Sequence, residues 1–258
     1  MKLGVCTKLE RIGIIKNLGF EYIEPKLTDV ASMSAEELSE ARKILDINGM
    51  NAETYNVFCS KELNISYAAD EYEISAYARQ ALANAQKLGG EIIVVGSGKA
   101  RNIPEEIPFE AGRDKFKRIL SLVADIAADY NIKVAIEPLN TNETNLVNTL
   151  SDASKICEEV NKANLGFLAD LFHMYRSGEE CSEILKYKDQ ILHAHIAKRD
   201  ETRGAPGISD RAEDLIEFHD ALTKIGYKGR ISLEASSKND FETSVNNFAE
   251  LADHLKLR

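Results

Sequence analysis

The sequence predicts an α/β fold, a single (β/α)8 barrel taking up residues 1–258 as one domain, and three observations carry that expectation. Short apolar, β-branched runs alternate with longer amphipathic stretches, which is the pattern of strand-then-helix units on a parallel sheet. The length of 258 residues is close to what such a barrel requires, roughly 250 residues. One joint also recurs, since Leu18-Gly19-Phe20, Leu88-Gly89-Gly90 and Ile225-Gly226-Tyr227 each close a helix a few residues before a strand.

Taken in order, the candidate strands are LGVC (3–6), YIEP (22–25), AETYNV (52–57), EIIVVG (91–96), KVAIEP (133–138), LGFLAD (165–170), ILHAHI (191–196) and RISLEA (230–235). Helix-length segments lie between them, with apolar residues spaced by three and four, as with Leu38, Ala41 and Leu45. Ser34 and Glu37 fit a capping box, in which hydroxyl and carboxylate satisfy donors that the first helical turn leaves free. Asn48-Gly49 is expected to end that helix, because glycine accepts the left-handed conformation found at helix C-termini. No linker, low-complexity tract or charge block divides the chain, so no second domain is expected. An open doubly wound sheet would call for a Gly-rich turn after the first strand, and Cys6-Thr7-Lys8-Leu9 is not one.

Composition narrows the function. A net charge of −10 argues against a nucleic-acid groove, which needs a basic surface. No run approaches the length of a membrane span, so neither a nucleic acid nor a membrane is an expected partner. The first residues lack the basic, apolar and small-residue succession of a secretory signal. Cys6, Cys59, Cys157 and Cys181 are scattered without CxxC spacing. Reduced thiols and a cytoplasmic location are therefore expected.

In a barrel of this kind the loops at the C-terminal strand ends converge on one mouth. A carboxylate ending an apolar strand costs several kcal/mol to bury, on the order of one strong interaction, unless it is paired or holds a metal. Four successive strands end in such groups: Glu137 in VAIEPLN, Asp170 in FLADLFH, His195 in LHAHIAK and Glu234 in ISLEAS. Singly, each reads as a helix cap or a hydrogen-bonded core residue; together, one per strand, they would surround a point. Three carboxylates and one imidazole suit a fairly hard divalent ion, Mn²⁺ first, with Mg²⁺, Co²⁺ or Zn²⁺ as alternatives. Glu24, ending the second strand, and Glu53, inside the third, are read mainly as structural. His193 is expected to face away from His195 and to be packed.

The segments IEPLNTNE, ADLFHM, HAHIAKRDETRGAPG and SLEAS resemble the xylose-isomerase-like TIM barrels, and within them the ketose 3-epimerases of the tagatose and psicose type. The resemblance implies that Glu137, Asp170, His195 and Glu234 bind the metal and that Glu137 and Glu234 also act as acid and base. It further implies sugar contacts at Glu143, six residues after Glu137; at His173, three after Asp170; and at Arg203, before a PG turn. The stretch from His195 to Arg203 is two residues longer than the family pattern. Without the resemblance, Glu143 reads as a helix cap, His173 as a core histidine and Arg203 as a solvated surface residue.

The implied partner is a small-molecule sugar, and the sequence leaves homo-oligomerisation open. A proton beside a ketone is weakly acidic, and its loss gives an enediolate that a divalent cation can neutralise. One carboxylate would take the proton from one face and another return it to the opposite face. Two readings compete with epimerisation. A lyase of the inosose or dehydroshikimate dehydratase type would share the first step and then expel hydroxide, and a non-catalytic sugar-binding barrel would share only the fold. The endonuclease IV branch, with its histidine-rich site, fits poorly because no histidine precedes His173.

Overall fold

The computed structural model describes residues 1–210, 212–236 and 240–257. Eight parallel strands appear where the runs were expected: β1 (Lys2–Cys6), β2 (Tyr22–Glu24), β3 (Thr54–Tyr55), β4 (Ile92–Val95), β5 (Lys133–Ile136), β6 (Leu165–Asp170), β7 (Ile191–Ile196) and β8 (Arg230–Leu233). They are hydrogen-bonded in the order β2-β1-β8-β7-β6-β5-β4-β3. Single parallel bridges, Ile23 to Ala52 and Lys26 to Asn56, draw β2 and β3 together and nearly close the barrel. β3 is shorter than the run 52–57 suggests, because the chain turns left-handed at Val57, with φ 49°, and leaves the sheet.

The helices pack outside, and most of the apolar core lies between them and the strands. In the helix Ala35–Asn48, Leu38, Ala41 and Leu45 are the buried face; burying a leucine in this way contributes about 1.5–3 kcal/mol. Its capping box is formed, with the Glu37 N–H donating to Ser34 Oγ at 3.2 Å and the Ser34 N–H to Glu37 Oε2 at 2.8 Å. The recurrent joint has a backbone cause: Gly19, Gly89 and Gly226 have φ of 81°, 91° and 74°, a region costly for side-chain-bearing residues. Among the described residues no helix is long and apolar enough to cross a membrane, and all four cysteines are free.

Strand alternation divides the barrel interior into two halves. On one side Ile92, Val94, Ala135 and Leu168 form a small apolar cluster of their own. On the other, Tyr22, Glu24, Thr54, His193 and Ser232 are buried and polar. Gly4 leaves room there for Tyr22, whose ring lies 2.3 Å from where a Cβ would stand.

The N-terminal end of the barrel is sealed by ion pairs. Glu53, just before β3, receives Lys2 Nζ at 2.8 Å and the Arg230 guanidinium, which also reaches Glu91 at 2.6 Å. Glu53 is thus structural, at the end of the barrel remote from the mouth.

Candidate active site

Each residue of the expected quartet stands two positions beyond an interior residue and so also points inward: Glu137 after Ala135, Asp170 after Leu168, His195 after His193 and Glu234 after Ser232. Asp170 and His195 are direct register partners on β6 and β7. One ligand atom from each of the four lies within 4.8 Å of the others. His195 Nδ1 is 3.3 Å from Glu137, 3.4 Å from Glu234 and 3.9 Å from Asp170. Gly96, at the end of β4, makes the space, since a Cβ there would lie 2.1 Å from Glu137 Oε2.

Glu24 orients the imidazole. Its Oε1 is 3.0 Å from His195 Nε2, and an ionised carboxylate only accepts, so Nε2 carries a proton and Nδ1 faces the three acids. Burial opposes charge on His195, but Glu24, Cys6 and Glu234 outweigh it and push the ring well above the usual imidazole range. A cation among the carboxylates would take the place of the second proton. The arrangement therefore fits a divalent ion: four convergent donors, one of them a histidine whose outer nitrogen is held by a carboxylate.

Glu24 itself is fully buried and accepts from Thr54 Oγ1 at 2.8 Å and from Ser232, whose hydroxyl is met by Tyr22 at 2.7 Å. The same oxygen, Oε2, lies 2.8 Å from His193 Nε2, which leaves Oε1 to His195. Burial would raise Glu24, yet the two histidines hold it well below the ordinary carboxylate range. The expectation for His193 is corrected here. Residues two apart on a strand share a face, so His193 and His195 both enter the barrel, with ring centroids 4.9 Å apart. Packed it is, but beneath the site and against Glu24.

The two glutamates of the quartet sit in different fields. Burial and the charge of Glu234 push Glu137 up from its ordinary value. Burial acts the same way on Glu234, but Arg203 and His195 prevail and hold it well below. Arg203 binds Glu234 directly and reaches Asp170 at 3.3 Å, with its guanidinium 4.9 Å above the Phe172 ring. It is thus part of the cluster and not a solvated surface arginine. Asn56 donates to the other Glu234 oxygen at 2.9 Å.

Glu143 is not a helix cap: the helix Leu150–Val160 is capped by Thr149, and Glu143 instead accepts from Asn140 at 3.2 Å, with Arg203 and His173 each 4.0 Å away. His173 is buried, and its Nδ1 accepts the Asn140 backbone N–H at 3.2 Å. The proton is then on Nε2, which has no partner. Such an orphan donor is uncommon in protein interiors.

Sequence reasoning missed Arg101. It is fully buried and donates to the carbonyls of Val95 at 2.9 Å and Glu137 at 2.6 Å, tying together the ends of β4 and β5. Burial lowers it to about 10, against the pull of Glu137 and Glu143. Nothing in GKARN distinguishes it from an exposed arginine.

Fold and donor set together define a barrel with a buried, acid-rich site at its C-terminal mouth. The chain belongs to the xylose isomerase-like TIM barrel family, which it matches over residues 12–258. It is 35% identical over 130 residues to a ketose 3-epimerase of Arthrobacter globiformis, a stretch covering 50% of this chain and 44% of that one. With a D-psicose 3-epimerase of Agrobacterium fabrum it shares 26% identity over 229 residues, 85% of this chain and 76% of that one. A crystal structure of D-psicose 3-epimerase in the presence of D-fructose superposes with a TM-score of 0.82, covering 98% of this chain and 92% of that one at 24% identity, which speaks to fold alone.

Proposed function

We propose that the protein is a divalent-metal-dependent sugar isomerase or epimerase and that its reaction is the 3-epimerisation of a ketose. The observation that carries this reading is the convergence of Glu137, Asp170, His195 and Glu234, with His195 Nδ1 turned toward the three acids. The likeness to ketose 3-epimerases in sequence supports the substrate class. Those four residues would hold the ion, Mn²⁺ first by the hardness of the donors. When bound, such an ion supplies positive charge against the negative charge that develops on the sugar oxygens.

The chain's own groups supply the proton chemistry. In this reading Glu234, kept ionised by Arg203 and His195, takes the C3 proton of the ketose. Glu137, whose carboxyl is raised by burial and by Glu234, is suited to keep a proton and return it to the opposite face. His173 offers its unpartnered Nε2–H to a sugar oxygen. Glu143 and Arg203 flank it, as acceptor and donor for neighbouring hydroxyls.

Fructose, tagatose and psicose, each incubated with Mn²⁺ in D2O and followed by NMR, test the assignment. Epimerisation is expected with deuterium entering at C3. Label at C1 or C2 alone would move the function to aldose and ketose interconversion. Untouched ketoses with inosose or dehydroshikimate converted to an unsaturated product would replace epimerase by lyase.

A further inference from the structure

Beside the acid cluster lies a cleft of about 330 Å³ whose character differs from the rest of the molecule. Cys6, Glu24 and Asn56 form its inner wall, and Lys8, Arg11 and Lys26 line it from the loops after β1 and β2. Cys6 Sγ is 3.9 Å from His195, and Asn56 binds Glu234, so the inner wall of the cleft is in contact with two residues of the proposed metal site. In a chain of net charge −10, none of the three cations forms an ion pair with any described residue. Among the described residues Asp29 is the single further acid of the lining, Glu24 being engaged by its two histidines. A surplus of about two positive charges remains, close to the charge that a phosphate monoester carries near neutral pH, about −1.5 to −2.

Two details indicate that this is a place for a ligand. Arg11 is held in position, its guanidinium 3.9 Å above the Phe241 ring and 3.5 Å from Thr7 Oγ1. Asn56 is only 7% exposed, and its Oδ1 has no partner, which leaves a buried acceptor for a hydroxyl in the cleft wall. The cleft on the far side of the mouth, by contrast, sets Lys61 and Lys99 against Glu143, and Lys61 is 3.9 Å from Glu62.

We infer that the natural substrate is a ketose bearing a terminal phosphate, which the Lys8, Arg11 and Lys26 cleft holds while the other end of the sugar lies at the acid cluster. This rests on the proposed function and sharpens its substrate class. Charge-assisted hydrogen bonds to the phosphate would each contribute on the order of tenfold in affinity.

The test compares fructose with fructose 6-phosphate and ribulose with ribulose 5-phosphate on the Mn²⁺-loaded protein, alongside calorimetric binding of the same sugars. Expected is a preference of at least about thirtyfold in kcat/KM for the phosphorylated member of one pair, expressed in KM and weakened by salt. Lys26→Gln and Arg11→Gln should each shrink that ratio by about tenfold, with far-ultraviolet circular dichroism confirming the fold. Turnover of the neutral ketoses with no phosphate preference in either pair would overturn the inference and leave the epimerase reading intact. Failure of every ketose to react, with ketose phosphates bound by the wild type and released by the variants, would overturn that reading and leave the cleft as assigned. Stronger preference for fructuronate, whose terminal group is a carboxylate, would also overturn the choice of phosphate.

Discussion

The two ends of the barrel both bury acids, and they handle them in opposite ways. At the N-terminal end Glu53 is met by Lys2 and Arg230, and Glu91 shares Arg230, so both acids have a cationic partner. At the C-terminal mouth ligand atoms of Glu137, Asp170 and Glu234 crowd within 4.8 Å of one another around His195, with Arg203, among the described residues, as the only permanent cation in direct contact with them. Buried acids that the protein neutralises itself are construction; acids that it gathers and leaves short of positive charge point to something bound from solution. Glu24 stands between these cases, fully satisfied yet spending its contacts on holding His195.

Substitutions at the three places should separate sharply. The largest effect on turnover is expected for Glu137→Gln and Glu234→Gln, which keep shape and remove the proton-transfer group. Each should lose at least about a hundredfold in kcat, the usual scale for a general acid or base; near wild-type turnover in either would exclude that residue. Glu24→Gln should act through His195. The apparent Kd for Mn²⁺ is expected to rise by about 10–100-fold, the range typical of a lost carboxylate behind a ligating histidine. Titration of the variant with an unchanged Kd would reduce Glu24 to packing. The smallest functional effect belongs to the other end: Glu53→Gln should lower stability by about 1–3 kcal/mol through Arg230 and Lys2, with turnover and metal affinity within about twofold of wild type. A denaturant melt alongside the activity assay decides it, and a variant that keeps its stability and loses activity would break the contrast between the two ends.

Much of this was legible in the sequence, and the reasons are specific. Eight apolar runs with recurring glycine joints revealed the strands, because a parallel barrel buries both strand faces and leaves little other signal in them. The quartet stood out because an acid or histidine closing an apolar strand is costly unless partnered. What stayed hidden depended on position along a strand or across space. Glu24 and Glu53 look alike in sequence, but one ends its strand and the other precedes it, which puts them at different depths of the barrel. His193 was legible in principle, since HAH places both rings on one face. Arg101 gave no local signal at all; its carbonyl partners come from β4 and from residue 137, far along the chain.

The central claim, that the mouth gathers acids to hold one divalent ion, is tested most directly by equilibrium dialysis against Mn²⁺ for the wild type, Asp170→Ala, His195→Ala and Glu53→Gln. One ion per chain is expected in the wild type and in Glu53→Gln, and none in Asp170→Ala or His195→Ala, both of which should also be inactive. Unchanged metal content in Asp170→Ala and His195→Ala would contradict the account.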